Sequence, residues 1–173
     1  MAMGPTSSSG RRDTAASLLS GVADRGLVWL LLGAVMWAAG GKLRLAGQRG
    51  LLSYGLSSAL VNGPLKLLWR RDRPNHPIDE ARRALVRPTR SFSFPSGHAA
   101  AAFAFAAGAG LESPTLLAPL ALLATGIAYS RVHSRVHFVS DVLAGSAIGV
   151  ASALTVRGLL PRPDMPGALE GRI

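Results

Sequence analysis

The sequence predicts an all-α integral membrane protein, a helical bundle with about five transmembrane helices. Hydrophobic residues make up 49% of a chain that also carries 19 Lys and Arg, and its mean hydropathy is +0.29. Apolar and charged residues must therefore be segregated, and five nearly charge-free runs do follow one another along the chain. A soluble bundle of 173 residues is too small to hide five helices that are hydrophobic all round.

The five apolar runs predict the spans in order. They are Gly26–Gly41, Gly50–Leu65, Ser91–Leu111, Ser113–Ser130 and Val142–Val156. A span takes about 20 residues, with a lower limit near 17. Three of the runs are slightly shorter than this, but Lys and Arg side chains near helix ends can extend a span by reaching to the membrane surface.

Composition excludes several classes of site. The chain has no cysteine, so disulfides, thiolate chemistry and cysteine zinc sites do not apply. The net charge of +10 is spread between apolar runs, without a basic domain or interleaved aromatic residues. Nucleic acid is therefore not the expected partner, and membrane lipids or phosphate groups fit better.

Polar side chains cluster where spans end, and the clusters share one side of the membrane. Because spans alternate in direction, the end of the second and fourth spans meets the start of the third and fifth. The loop Lys42–Arg49 and the turn around Glu112 fall on the opposite side. The clustered residues are Lys66, Arg70 and Arg73, then Ser96, Gly97 and His98, then Ser130 and Arg131, then His137 and Asp141. Ionisable residues at such positions point to a functional site.

The first cluster is cationic. Lys66, Arg70 and Arg73 are spaced i, i+4 and i+7, which places them on one helix face until Pro74 ends the helix. Three cations on one inward face require an anion. Arg70 and Arg71 fit equally well as anchors for lipid headgroups, whereas Lys66 lies one turn deeper.

The second cluster opens the stretch SFSFPSGHAAAAFAFAAGAG. Pro95 suits the first turn of a helix, with Ser93 or Phe94 as the cap. The amides of Ser96, Gly97 and His98 would then point outward from the positive end of the helix and bind phosphate. His98 beside them could deliver a proton, although a single histidine at a helix start also serves as a capping residue.

The third cluster, SRVHSRVHFVSD, allows two interpretations. His133, His137 and Asp141 are spaced i, i+4 and i+8, a pattern that fits metal ligands on one helix face. Alternatively, Asp141 orients His137 as a nucleophile while Arg131 holds the group under attack. The nearby cations Lys66, Arg73 and Arg131 favour the second interpretation. A metal site seldom needs cations beside it, whereas a phosphoryl group develops negative charge that they can stabilise.

Taken together, these residues resemble the three-part signature of the type 2 phosphatidic acid phosphatases, a family of membrane lipid phosphatases that shares its site with vanadium haloperoxidases. The matching motifs are Lys66-x6-Arg73-Pro74, Pro95-Ser96-Gly97-His98 and Ser130-Arg131-x5-His137-x3-Asp141. The resemblance implies a core like theirs and a phosphohistidine on His137, oriented by Asp141, with His98 protonating the leaving alcohol. It also implies a phosphate site made of Lys66, Arg73, Ser96, Gly97 and Arg131, without a metal or cofactor.

The expected substrate is a lipid phosphate in the membrane. The compact chain resembles short actinobacterial family members that act on polyprenyl-linked phosphates such as decaprenylphosphoryl-phosphoribose; phosphatidic acid and phosphatidylglycerophosphate remain open. The loop Arg82–Arg90 could recognise a larger anionic headgroup or face lipid. A metal-dependent membrane hydrolase and a non-catalytic lipid-phosphate binder or transporter are the alternatives.

Topology and organisation follow from the same pattern. Most bacterial family members have six spans, and five are expected here. Thirteen Lys and Arg lie on the site side against six on the other, which favours a cytoplasmic site in a multi-pass cell-membrane protein. Gly145-x3-Gly149 fits packing against another subunit or within the bundle. Residues 25–157 would form the transmembrane catalytic domain, between a flexible or amphipathic segment, 1–24, that is too polar for a cleaved signal peptide, and a loose tail, 158–173.

Overall fold

A computed structural model describes residues 26–74 and 91–160, and every regular element in these two ranges is helical, as predicted. The helices are α1 Leu27–Ala39, α2 Gly41–Leu60, α3 Gly97–Gly110, α4 Pro114–His133 and α5 Val139–Leu159. The predicted N-terminal segment 1–24, the Arg-rich loop Arg82–Arg90 and nearly all of the predicted tail lie outside the described residues.

Helix α3 is the centre of the bundle, and α2, α4 and α5 pack around it. Its alanines are almost all buried, so neighbouring backbones can approach closely. A Cβ added at Gly149 would collide with the carbonyl of Ala100, and one at Gly145 with the carbonyl of Ser96. The glycine pair of the last helix therefore packs within the bundle.

Helix α2 is longer at its start than the sequence predicted. The prediction of a loop at Lys42–Arg49 is wrong, because the helix begins at Gly41 and includes the charged residues of this segment. Arg49 is buried, and its guanidinium donates a 2.9 Å hydrogen bond to the carbonyl of Val156, near the end of α5. A cation that binds carbonyls at a helix C-terminus can be buried inside a bundle, and charge counting along the chain does not detect this.

The other end of α2 is irregular. A π-helical turn, Val61–Leu65, contains Pro64, and a short helical turn, Lys66–Leu68, follows it. Proline lacks the backbone N–H of the helical ladder, which accounts for the widened turn. Trp69 then leaves helical geometry, so the predicted continuous helix through Arg73 is wrong. Arg70 and Arg73 lie on non-helical backbone instead.

Within the described residues, two helices are long and apolar enough to cross a membrane, α4 and α5. Helix α1 is apolar but has only 13 residues. Large apolar side chains point outward from the bundle, including Leu31 on α1, Leu122 on α4 and Leu143 on α5. These surfaces fit a protein embedded in lipid, and the count of five spans stays a prediction.

Candidate active site

A cavity of about 260 Å³ opens at the end of the bundle where α3 begins. Five of the eight predicted site residues line it: Lys66, Arg73, Gly97, His98 and His137. The other three, Ser96, Arg131 and Asp141, are buried close to these residues in the chain. The remaining lining residues are Gly26, Trp29, Tyr54, Ser58, Asn62, Ser91 and Ala101.

His137 lies in the connection between α4 and α5, with its ring directed into the cavity. Its amide donates to the carbonyl of Arg131 at 3.3 Å, which fixes the backbone at this point. The ring Nε2 lies 3.5 Å from Nη1 of Arg73, and Nδ1 lies 3.6 Å from Oδ2 of Asp141. The second distance is slightly too long for a hydrogen bond, and a small rotation of the ring would close it. An Nδ1–H facing the carboxylate leaves the Nε2 lone pair on the side of Arg73, whose contact at 3.5 Å is long and weak.

The surroundings of His137 favour a neutral imidazole. Burial, followed by the charges of Arg73, His98 and Lys66, lowers the pKa of His137 to about 3. Burial is the largest cause, because an imidazolium loses its hydration there. At neutral pH the ring is therefore unprotonated and chemically able to attack an electrophile.

Asp141 lies fully buried in the first turn of α5, where helix N-termini favour a carboxylate. Its Oδ2 accepts a hydrogen bond from the amide of Phe138 at 2.9 Å, and its Oδ1 accepts one from Arg71 at 3.0 Å. Arg71 also donates to the hydroxyl of Ser140 at 2.8 Å, and its guanidinium lies 4.0 Å from the centre of the Phe138 ring. Asp141 is thus held from both sides.

Sequence reasoning missed the contact of Arg71 with Asp141 and offered lipid-headgroup anchoring for Arg71 only as an equally weighted alternative. Its ion pair joins residues 70 positions apart, so no local spacing indicates it. The neighbouring Arg70 is exposed, which fits the headgroup interpretation.

Arg73 and Lys66 approach the cavity from different parts of the backbone and share Ser91. Arg73 Nε donates to the carbonyl of Ser91 at 3.0 Å, and Lys66 Nζ donates to its hydroxyl at 3.2 Å. Arg73 Nη1 also donates to the carbonyl of Val136 at 2.8 Å. Burial lowers the pKa of Arg73 and the carboxylate of Asp141 opposes this, while a guanidinium remains charged at neutral pH. Ser91 is a further residue that motif spacing did not reveal.

The start of α3 differs from the prediction. The cap is Ser96, whose hydroxyl accepts the amide of Ala99 at 3.4 Å, and not Ser93 or Phe94. The amide of Ser96 donates to the backbone carbonyl of Asp141 at 2.9 Å, so the expectation that this amide points outward is wrong. It ties α3 to α5.

Gly97 opens the cavity wall at the start of α3. A Cβ at this position would lie 3.0 Å from Oδ1 of Asn62 and 3.8 Å from Nζ of Lys66. Glycine leaves this space open, so that a group bound between Lys66 and the helix start can approach the backbone.

The predicted clamp, Arg131, is buried in the last turn of α4, where its Nε donates to Ser130 Oγ at 3.3 Å. Its backbone carbonyl accepts hydrogen bonds from the amides of both Val136 and His137. The backbone of Arg131 therefore positions His137. The contact of its guanidinium with phosphate stays a prediction.

The metal-ligand interpretation required one continuous helix face, and this geometry is wrong. Helix α4 ends at His133 and α5 begins at Val139, so the spacing i, i+4 and i+8 crosses a turn. The His133 ring stacks on Tyr129 with ring centres 5.5 Å apart. Within residues 26–74 and 91–160, no three His, Asp or Glu side chains are grouped to hold a metal ion.

Comparison with known sequences gives consistent matches. The family model of the PAP2 superfamily matches residues 49–163. A decaprenylphosphoryl-5-phosphoribose phosphatase from Mycolicibacterium smegmatis is 33% identical over 139 residues, which cover 76% of this chain and 70% of that protein. The enzyme with the same name from Mycobacterium tuberculosis H37Rv is 38% identical over 89 residues, 49% of this chain and 45% of the relative.

Two solved structures resemble the bundle. The crystal structure of a transmembrane PAP2-type phosphatidylglycerolphosphate phosphatase from Bacillus subtilis matches this chain with a TM-score of 0.65 and 25% sequence identity. The match covers 85% of this chain and 75% of the other. Aquifex aeolicus LpxE has a TM-score of 0.67 at 25% identity, covering 84% and 85%.

Proposed function

The chain belongs to the PAP2 superfamily and is a phosphoric monoester hydrolase, and from this premise we propose that it removes a terminal phosphate from a polyprenyl-linked lipid through a phosphohistidine. The observation that carries the proposal is the cavity itself. A neutral imidazole, His137, faces the same space as two cations, Lys66 and Arg73, and a second histidine, His98. This combination suits transfer of a charged phosphoryl group to nitrogen.

In the first step, Nε2 of His137 attacks phosphorus, and the bond between phosphorus and the lipid oxygen breaks. His98 gives its proton to the departing oxygen, so that the alcohol leaves neutral. Asp141 stabilises the positive charge that the imidazole acquires. Lys66 and Arg73 stabilise the charge on the phosphoryl oxygens.

In the second step, water attacks the phosphohistidine. His98, now neutral, takes a proton from that water, the bond between nitrogen and phosphorus breaks, and inorganic phosphate leaves. Ser96, Gly97 and Arg131 are the remaining proposed phosphate ligands, of which Gly97 lines the cavity. Both steps use only side chains of this protein, water and substrate.

The lipid class is inferred from the relatives. Two mycobacterial proteins named for decaprenylphosphoryl-5-phosphoribose support a polyprenyl-linked phosphate. The structural similarity to a phosphatidylglycerolphosphate phosphatase keeps that lipid as the next candidate, followed by phosphatidic acid.

We propose that the protein crosses the membrane several times and that the site lies on the cytoplasmic side. The loops predicted on the same side as the site carry more Lys and Arg than the loops on the opposite side, and such an excess is typical of cytoplasmic loops. The cysteine-free sequence allows a direct test with single substitutions at exposed positions. In intact cells, a membrane-impermeant maleimide should label Leu160→Cys and spare Arg70→Cys. The reverse pattern would place the site outside.

The catalytic proposal is tested by phosphate release from purified protein in detergent. The substrates are a polyprenylphosphoryl-ribose 5-phosphate, phosphatidylglycerophosphate and phosphatidic acid, each with and without EDTA, and His137→Ala is assayed alongside. Release that persists in EDTA and disappears in the variant supports the phosphohistidine pathway. A covalent 32P label that is stable to alkali and labile to acid would identify the intermediate.

The same assay separates the alternatives. Release that EDTA abolishes would point to a metal-dependent hydrolase. Binding of the lipid phosphates without any release would indicate a binder or transporter.

A further inference from the structure

We propose that Tyr54, Ser58 and Asn62 form a subsite for hydroxyl groups on the leaving side of the substrate. The inference rests on the proposed function and narrows its substrate class. The preferred substrates would carry their terminal phosphate on a hydroxylated group, such as a pentose, and not directly on a hydrocarbon chain.

The three residues extend from the proposed phosphate site along α2 and the turn that follows it. Tyr54, Ser58 and Asn62 are spaced four residues apart on α2 and the turn that follows it, and Lys66 comes four residues later. Tyr54 and Ser58 share one face of α2. Asn62 lies in the π-helical turn and Lys66 directly after it, where four-residue spacing alone does not fix the face. All four side chains line the cavity.

The geometry places Asn62 beside the phosphate-binding end. Its Oδ1 lies 3.0 Å from the position that a Cβ of Gly97 would occupy, next to Nζ of Lys66. At the other end, the hydroxyl of Tyr54 packs against Gly26, at the start of α1. Within α2, Tyr54 and Ser58 are four residues and about 6 Å apart along the helix axis, about the length of one sugar ring.

The chemistry of this wall is polar but uncharged. A phenol, a hydroxyl and a carboxamide can donate and accept hydrogen bonds with sugar hydroxyls. A hydrocarbon chain in the same place would displace water from these groups without forming hydrogen bonds to them, which is unfavourable. Trp29 and Ala101, whose side chains are buried, add apolar atoms to the same lining.

Another serine on α2 shows that this placement is selective. Ser53 is fully buried, and its hydroxyl donates to the carbonyl of Arg49 at 2.7 Å, which leaves it packed against α3. Ser58 instead faces the cavity. The polar lining is therefore a property of one face of α2 and not of the whole helix.

The test compares two substrates that share one prenyl chain in the same detergent. One is a prenylphosphoryl-ribose 5-phosphate, and the other is the prenyl phosphate. The wild-type protein should favour the ribose compound in kcat/KM by about tenfold or more. Asn62→Leu and Ser58→Ala should each reduce this preference by about three- to tenfold, the effect of one lost hydrogen bond.

Thr155→Val is the matched control, because Thr155 is an exposed α5 residue whose hydroxyl bonds its own helix at the carbonyl of Ala151. It should keep the wild-type preference. Thermal melting of each variant checks folding, and Ser58→Ala is a small change that keeps the test usable if Asn62→Leu does not fold.

The outcomes separate the inference from the proposed function. If the wild-type protein cleaves neither substrate, the proposed function fails and the subsite fails with it. If it cleaves both but shows no preference, or if the variants lose activity equally on both substrates, only the hydroxyl subsite is overturned.

Discussion

The two ends of the bundle both hold cations close to helix ends, but they use them differently. At the end away from the cavity, Arg49 donates to the carbonyl of Val156 at 2.9 Å, and Arg157 donates to the carbonyl of Leu111 at 3.3 Å. At the cavity end, Lys66 and Arg73 border about 260 Å³ of open space together with His137. The first pair joins helices to one another, and the second pair faces a space that a phosphate can enter.

The comparison shows that a charge within an apolar bundle does not by itself indicate a catalytic site. Carbonyl groups at a helix C-terminus stabilise a guanidinium and give it a structural role. Cations beside an open cavity and a neutral imidazole have a chemical role available. Substitutions at the cavity end should therefore change activity, and those at the other end should change stability.

The largest effect is expected from His137→Ala, which removes the proposed nucleophile. Phosphate release should fall by about 10⁴-fold or more, because no other group in the proposed pathway replaces the covalent step. His133→Ala is the matched control, since His133 stacks on Tyr129 outside the cavity lining. Equal losses in the two variants would contradict the assignment.

Arg73→Ala should reduce kcat/KM by about 10²- to 10³-fold, because it removes a charge aimed at the transferring phosphoryl group. Arg73→Lys should recover only part of the loss, since an ammonium cannot donate to both Ser91 and Val136 in the geometry of a guanidinium. Steady-state kinetics measures both variants. Full activity in Arg73→Ala would mean that the cavity cations do not act on phosphate.

Arg71→Ala should lower kcat by about 10- to 100-fold, although Arg71 is not among the residues that line the cavity. Its effect would pass through Asp141, whose Oδ1 it holds at 3.0 Å. The loss should be strongly non-additive with Asp141→Asn in a double-mutant cycle. Additive losses would instead indicate an independent role for Arg71, such as general stability.

The cavity end should also make stability depend on pH. The pKa of His137 is about 3 in the folded protein, below its ordinary value of 6.5, so the unfolded state binds more protons between these values. The contribution of His137 to the free energy of unfolding is fully present above the unfolded-state pKa of 6.5. It falls as the pH drops, by about 3 kcal/mol between pH 6.5 and 4. Melting in detergent should show this slope in the wild type and a flatter one in His137→Gln. Identical slopes would exclude His137 as the cause.

The smallest effect on activity is expected at the other end. Arg49→Met should cost about 2 kcal/mol of stability, because the Val156 carbonyl loses a charged hydrogen-bond donor, and kcat/KM should stay within about twofold of wild type. Thermal melting and phosphate release are measured on the same preparation. A large loss of activity at unchanged stability would mean that the two ends are coupled.

Which residues meet at the cavity was largely predictable because the motifs are local, and their catalytic roles stay predictions. Ser96 and His98 are close in sequence, and the turn between α4 and α5 brings His137 and Asp141 together within five residues. The errors in the fold concerned where helices begin and end. The helix predicted to continue through Arg73 is interrupted at Pro64. At its other end, α2 begins at Gly41, within the segment predicted as a cationic loop, because the charge of Arg49 is accommodated by the carbonyl of Val156.

The sequence by itself determined the helical class, the family and the residues that could carry chemistry, because apolar runs and short-range spacings are written along the chain. Only the tertiary structure decided which partner each charge takes. Arg71 and Asp141 are 70 positions apart, and Arg49 and Val156 are 107 apart. Such pairs depend on how closely the helices pack around α3, and this packing is set jointly by small side chains on several elements.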